Sequence, residues 1–155
     1  MPVRIAARIA AAGYLLVAAF QAALAMGVPW GEAAWGGRHE GVLPTGLRAG
    51  SAAAALFLAA AAGVMLLAAR PLADESRRVR LARRAAGALA FLLLLNAFGN
   101  LMSKSGVEQA VMTPVSVLLG VLTALVAWGP RASRASRAPQ TQRGRPKPPS
   151  KKRRR

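Results

Sequence analysis

Four stretches, residues 5–26, 47–69, 85–102 and 107–128, each hold about twenty predominantly apolar residues with charges only near their ends. That is the length a helix rising 1.5 Å per residue needs to cross a hydrocarbon layer about 30 Å thick. Lipid offers no water to a free backbone amide, so each stretch is expected to close its own hydrogen bonds as a helix. The expected fold is therefore all-α, a four-helix transmembrane bundle. Composition closes off the soluble alternative, because 54% of the 155 residues are hydrophobic, more than a domain of this size can bury. The excess is expected to face acyl chains. Cysteine is absent, which removes disulfides, thiolate metal sites and thiol nucleophiles.

The first span, Ile5 to Met26, has Arg8 close enough to its end to snorkel and Gln21 as its polar interruption. A competing reading is a signal peptide, since Arg4 and Arg8 precede an apolar run that ends in Ala23-Leu24-Ala25, a cleavable tripeptide. Cleavage would leave three spans. The run is longer than an ordinary signal core, which favours a retained helix. In the second span, Leu47 to Ala69, the small faces of Ala52–Ala55 and Ala59–Ala62 predict a central position in the bundle. The third, Ala85 to Met102, is most apolar at Phe91–Leu95, and the fourth, Val107 to Trp128, ends on an interfacial tryptophan.

Charge then orients the chain. Its formal net charge of +17 comes from 22 basic and 5 acidic residues, and eleven of the basic ones follow Pro130. Arg70, Arg77, Arg78, Arg80, Arg83 and Arg84 lie between the second and third spans, whereas the other two loops hold only Arg38, Arg48 and Lys104. The positive-inside rule therefore puts both termini in the cytoplasm and the segments around 27–46 and 103–106 outside. The segment from Arg70 to Arg84 reads either as a solvated linker or as an amphipathic start to the third helix, with Asp74 and Glu75 favoured by the helix dipole. Residues 130–155 carry five prolines and no apolar period, so they are expected to form a disordered basic tail.

The natural partners of that tail are anionic headgroups, to which each Lys or Arg contributes about 1 kcal/mol. Recruitment of nucleic acid or an acidic protein is the alternative, because the charge run Lys151–Arg155 is not selective by itself. The Arg-Ala-Ser pattern at Ser133 and Ser136 is a phosphorylation context whose added charge would weaken lipid attraction. The preference for arginine over lysine and the wealth of alanine point to a bacterial inner membrane.

With this topology the chemically distinctive residues gather on the outer side. The segment from Trp30 to Arg48 holds Glu32, Trp35, His39, Arg38 and several glycines. It reads either as a loop packed down on the bundle or as two Trp anchors joined by a flexible turn. Asn96 and Asn100 share a helix face four residues apart. Ser105 and Glu108 have the spacing of a capping box, and Pro114 removes a backbone donor where a kink is expected. Glu108 stands near the apolar phase and needs a partner, for which Arg38, Arg48 and Lys104 are candidates. The candidate polar site is thus Glu108, Asn96, Asn100, Arg48, Arg38, His39 and Glu32. It is either a structural cap and ion pair or a site for a proton, a cation or a polar substrate group.

No catalytic, metal-binding or cofactor-binding set is assigned. His39-Glu40 is followed by Gly41-Val42-Leu43, which is not a zinc-binding H-E-x-x-H, and neither a nucleophile elbow nor a P-loop occurs. The pattern W-G-x-x-x-W-G-G, then L-P-x-x-x-R-x-x-S, N-x-x-x-N and S-x-x-E-x-x-x-x-x-P, over Trp30–Ser51 and Asn96–Pro114, resembles small four-span bacterial membrane proteins. The resemblance implies an architecture and no activity. Three functions fit: an accessory protein that binds lipid, a second copy of itself or a larger membrane partner; a small oligomeric transporter; or an outward-facing enzyme acting on lipid or envelope material through His39 and the acids.

Overall fold

A computed structural model describes residues 2–70 and 76–129. The helices are α1 (Pro2–Met26), α2 (Thr45–Ala68), α3 (Arg77–Leu101) and α4 (Thr113–Trp128). A 3-10 turn at Gly31–Ala33 interrupts the α1–α2 connection, and a π-helical segment, Glu108–Met112, runs directly into α4. Four helical segments, Val3–Met26, Thr45–Ala68, Arg77–Leu101 and Glu108–Trp128, are long and apolar enough to cross a membrane. The chain is a multi-pass membrane protein built as a four-helix transmembrane bundle. The tail 130–155, with Ser133 and Ser136, and the acids Asp74 and Glu75 lie outside the described residues.

α3 begins well ahead of residue 85. Ser76 caps it, its Oγ accepting from Val79 N–H at 3.4 Å, and the arginines from Arg77 to Arg84 occupy its first turns. These residues are helix rather than solvated linker. Arg83 also serves the end of α2, donating from Nε to Ala68 O (3.3 Å) and from Nη2 to Arg70 O (3.1 Å). It thereby satisfies carbonyls that a helix terminus leaves without an internal donor.

The helices form a ring in which α1 packs mainly on α2 and α3 mainly on α4, closed by α1–α4 and α2–α3 contacts. The expected central position of α2 is not found. Only part of its alanine surface turns inward: Ala61, Ala62 and Ala68 are buried, while Ala52, Ala53, Ala59 and Ala60 are exposed. Small residues here bring α2 close to one neighbour instead of surrounding it with three.

The main core lies at the arginine-rich end. Ala7, Ala10 and Ala11 of α1 meet Ala62, Met65 and Ala68 of α2, with Ala82 and Ala86 of α3 and Val126 of α4 completing it. Alanine lets backbones approach closely, so this half of the bundle is tight. A second, small core of Leu24, Ala34 and Leu43, flanked by Phe20 and Leu47, lies at the opposite end. Leu16, Leu56, Phe91, Phe98 and Leu118 are more than half exposed on the outer face, where acyl chains cover them.

Candidate functional site

Residues 27–44 fold back over the open end of the bundle as a lid. α1 stops at Gly27 (φ 97°), and Arg48 Nε donates to Ala25 O at 3.0 Å, capping the helix end. Trp30 stacks on Phe20 with ring centroids 6.1 Å apart and planes 8° from parallel. Gly31 N–H donates to Gly41 O at 2.9 Å, drawing the two arms of the lid together. This approach is possible only without a side chain at Gly31, since a Cβ there would stand 2.5 Å from His39 O. Ala34 and Leu43 are 4% and 2% exposed, so the segment is packed down and not a flexible turn between two anchors.

The lid makes its decisive turn at Trp35, Gly36 and Gly37, with φ of 55°, 82° and 64°. Left-handed backbone is costly for a residue with a bulky side chain, so Trp35 needs holding. Its Nε1 donates to the buried Ser51 Oγ at 3.0 Å, and its ring lies against Gly50, 3.0 Å from where a Cβ would stand. This turn aims Gly36 N–H across to α4's leading segment, where it donates to Glu108 Oε1 at 3.2 Å. Gly37 rests on Ser105, whose Oγ donates to Glu32 O at 2.6 Å and accepts from Glu108 N–H at 3.2 Å.

Glu108, 6% exposed, is therefore held differently from the expectation. Only half of the capping box forms: Ser105 caps Glu108 N–H, but Ser105 N–H donates to Ser103 Oγ at 3.0 Å and the carboxylate turns to the lid. Nor does Arg38, Arg48 or Lys104 pair with it among the described residues. Pro114 also acts differently from a simple kink. The preceding turn widens to π geometry, and Thr113 donates both N–H and Oγ1 (3.2 Å) to Glu108 O. Widened turns of this kind recur at functional sites.

Beneath the lid is a cavity of about 490 Å³. Near the lid its wall is polar, with Gln21, Asn96, Asn100, Glu108 and Ser116; deeper it is hydrocarbon, with Val17, Phe57, Leu92, Leu93 and Leu119. Asn96 and Asn100 each donate from Nδ2 to Ser116 Oγ, at 2.9 and 3.2 Å, tying α3 to α4. Tyr14 forms the floor, its hydroxyl bonded to buried Thr123 Oγ1 at 3.1 Å. At 1.5 Å per residue, Tyr14 lies about 18 Å back along α1 from the lid end, so the cavity reaches into the membrane interior. A groove of about 330 Å³ between α1 and α4, lined by Leu16, Leu118 and Leu122, adjoins the cavity, with Val17, Phe20 and Leu119 lining both.

Three of the seven candidate site residues, Glu108, Asn96 and Asn100, meet in this cavity. The other four do not line it. Arg48 is occupied at the end of α1, Glu32 contributes its carbonyl to Ser105 while its side chain is exposed, and Arg38 and His39 lie on the lid. Gln21 was overlooked as a site residue, though a lone amide in an apolar span was the available signal. Its Oε1 is buried without a hydrogen-bond partner.

Comparison with known protein families, curated proteins and solved structures finds no match for this chain. Its chemistry is therefore argued from its own residues. The cavity presents one carboxylate, three amides and the Ser116 hydroxyl near the lid, above a largely apolar lower wall that ends at Tyr14.

Proposed function

We propose that this protein is a membrane-embedded binding protein that holds an amphiphile in the lidded cavity, acting as an accessory protein rather than as a transporter or an enzyme. The observation that carries this reading is the change of lining with depth, from Gln21, Asn96 and Glu108 under the lid to leucine and phenylalanine below, continued by the groove between α1 and α4. A lipid-like molecule entering sideways finds its own polarity profile matched. Passage across the membrane is disfavoured by the alanine-packed half opposite the lid, and catalysis by the position of His39 outside the cavity.

The charge pattern supports a bacterial inner membrane location with both termini cytoplasmic and the lid outside, the basic tail lying on anionic headgroups. Single cysteines at the exposed positions Thr45 and Lys104 and at Ser150, labelled with an impermeant thiol reagent, test this. Labelling of the first two in intact cells and of the third only after permeabilisation supports it; protection of Lys104 alongside Ser150 overturns it. For binding, Gly99 lines the cavity and a Cβ there meets nothing within 4 Å, so Gly99→Phe starts in open space and is the variant expected to fill the cavity. Protein purified in mild detergent should carry an amphiphile detectable by mass spectrometry, and the folded Gly99→Phe protein should lack it. Equal occupancy of both proteins would end the proposal.

A further inference from the structure

Among the described residues, the acceptors that the cavity leaves without a donor include one carboxylate oxygen and three amide oxygens. Glu108 keeps one carboxylate oxygen on Gly36 N–H, and the other has no donor among the described residues. Asn96 and Asn100 both turn their nitrogens to Ser116, leaving their amide oxygens without a donor among the described residues. Rotating one amide satisfies at most one of the two oxygens, because Ser116 has one hydroxyl hydrogen to give. Gln21 Oε1 is buried in the same wall with no partner, a costly state for an amide oxygen. No lysine or arginine stands among the residues lining the cavity, so the carboxylate has no counter-ion there.

Resting on the amphiphile-binding reading above, we infer that the molecule bound under the lid is an amphiphile headed by a primary ammonium group. Glu108 is the counter-ion, and Gln21 Oε1 with the Asn96 and Asn100 oxygens accepts the remaining N–H groups. An ammonium carries three donors and no acceptor, which suits the unpaired Glu108 oxygen and the free amide oxygens. A charge-assisted bond to the buried Glu108 carboxylate supplies the strongest single contact. The alkyl chain follows Val17, Phe20 and Leu119 out into the α1–α4 groove. A bare divalent metal fits less well, because such ions take six or more oxygen ligands, often several of them carboxylates, while Glu108 is the only acid among the described residues lining the cavity. Two sources share this head chemistry, an ethanolamine-headed phospholipid of the bilayer and a single-chain amine.

The test titrates the full-length protein in maltoside micelles and counts adducts by native mass spectrometry. The probes are dodecylamine, dodecyltrimethylammonium and dodecanol, with ethanolamine- and choline-headed phospholipids of identical acyl chains. Dodecylamine should bind at least tenfold more tightly than dodecyltrimethylammonium, which has the charge but no N–H. Glu108→Gln should abolish that preference, and Gln21→Leu should reduce it. A matching preference for the ethanolamine phospholipid identifies the bilayer as the source; preference confined to dodecylamine identifies the single-chain amine. Equal binding of primary and quaternary heads, or a preference that survives Glu108→Gln, overturns the ammonium assignment and leaves the amphiphile reading standing. Absence of saturable binding of every probe, dodecanol included, removes both.

Discussion

Gly37→Ala should unseat the lid. At φ 64° an alanine adopts left-handed backbone at a cost of about 1–2 kcal/mol. Its new methyl group also meets Ser105, with Cβ 2.5 Å away, Cα 3.0 Å and N 3.1 Å. Two of those atoms are backbone at the α3–α4 junction, so relief requires moving the chain rather than rotating a side chain, and crowding of this kind costs about 1–3 kcal/mol. Together the penalty is about 2–5 kcal/mol against the closed lid, a tens- to thousands-fold rise in its opening constant. Hydrogen exchange on the peptide covering 31–41 reads this directly, because Gly31, Ala34, Gly36 and Gly37 all donate bonds within the closed lid or to Glu108. Gly41→Ala is the control: φ is 70° but nothing lies within 4 Å of its Cβ, so only the conformational cost applies. Gly37→Ala should therefore accelerate exchange well beyond Gly41→Ala. Equal acceleration by the two would show that the close seat on Ser105 does not hold the lid down.

Glu108→Gln should keep the lid closed, since an amide oxygen can still accept from Gly36 N–H, whereas Glu108→Ala should speed exchange at Gly36 by the cost of one lost buried bond, about 1–3 kcal/mol. Ser116→Ala removes the common partner of Asn96 and Asn100 and should lower unfolding stability in detergent by about 1–2 kcal/mol, with Ser116→Thr restoring most of it. Trp35→Phe deletes the donor to Ser51 while keeping the ring near Gly50, and should raise exchange across the lid by about tenfold, the loss of one hydrogen bond of about 1 kcal/mol or slightly more. His39→Ala should leave both stability and amphiphile binding within twofold of the parent protein, and a larger loss of binding would move the site onto the lid's outer surface.

The helices were legible because their physics is local. Twenty apolar residues in a row need no tertiary information to become a span, and Asn96 and Asn100 announced a shared face by their spacing alone. The Ser105 cap was visible for the same reason. What the carboxylate of Glu108 does was not, because its partner is a backbone N–H 72 residues away, exposed to it only by a left-handed turn that includes a tryptophan. Local preference argues against such a conformation at Trp35; the bond to Ser51 and the space over Gly50 decide it. Arg38 and Arg48 looked like partners for Glu108 because opposite charges on one side of a membrane invite pairing. A carbonyl at the end of α1 occupies Arg48 instead, and Arg38 stays exposed on the lid.

The widened turn at Glu108–Met112 sets the start of the fourth span in a different phase from the helix that follows it. An extra residue in one turn offsets everything before it by about 100° relative to everything after it. The part before the turn is thereby aimed at the lid and the part after it at α3, through Ser116. Each can be tuned without turning the other. Deleting one residue between 109 and 112 would return a regular helix with all of its apolar character intact, yet swing the carboxylate a quarter-turn or more off its target. The hydropathy of the span would be unchanged, and the site would be gone.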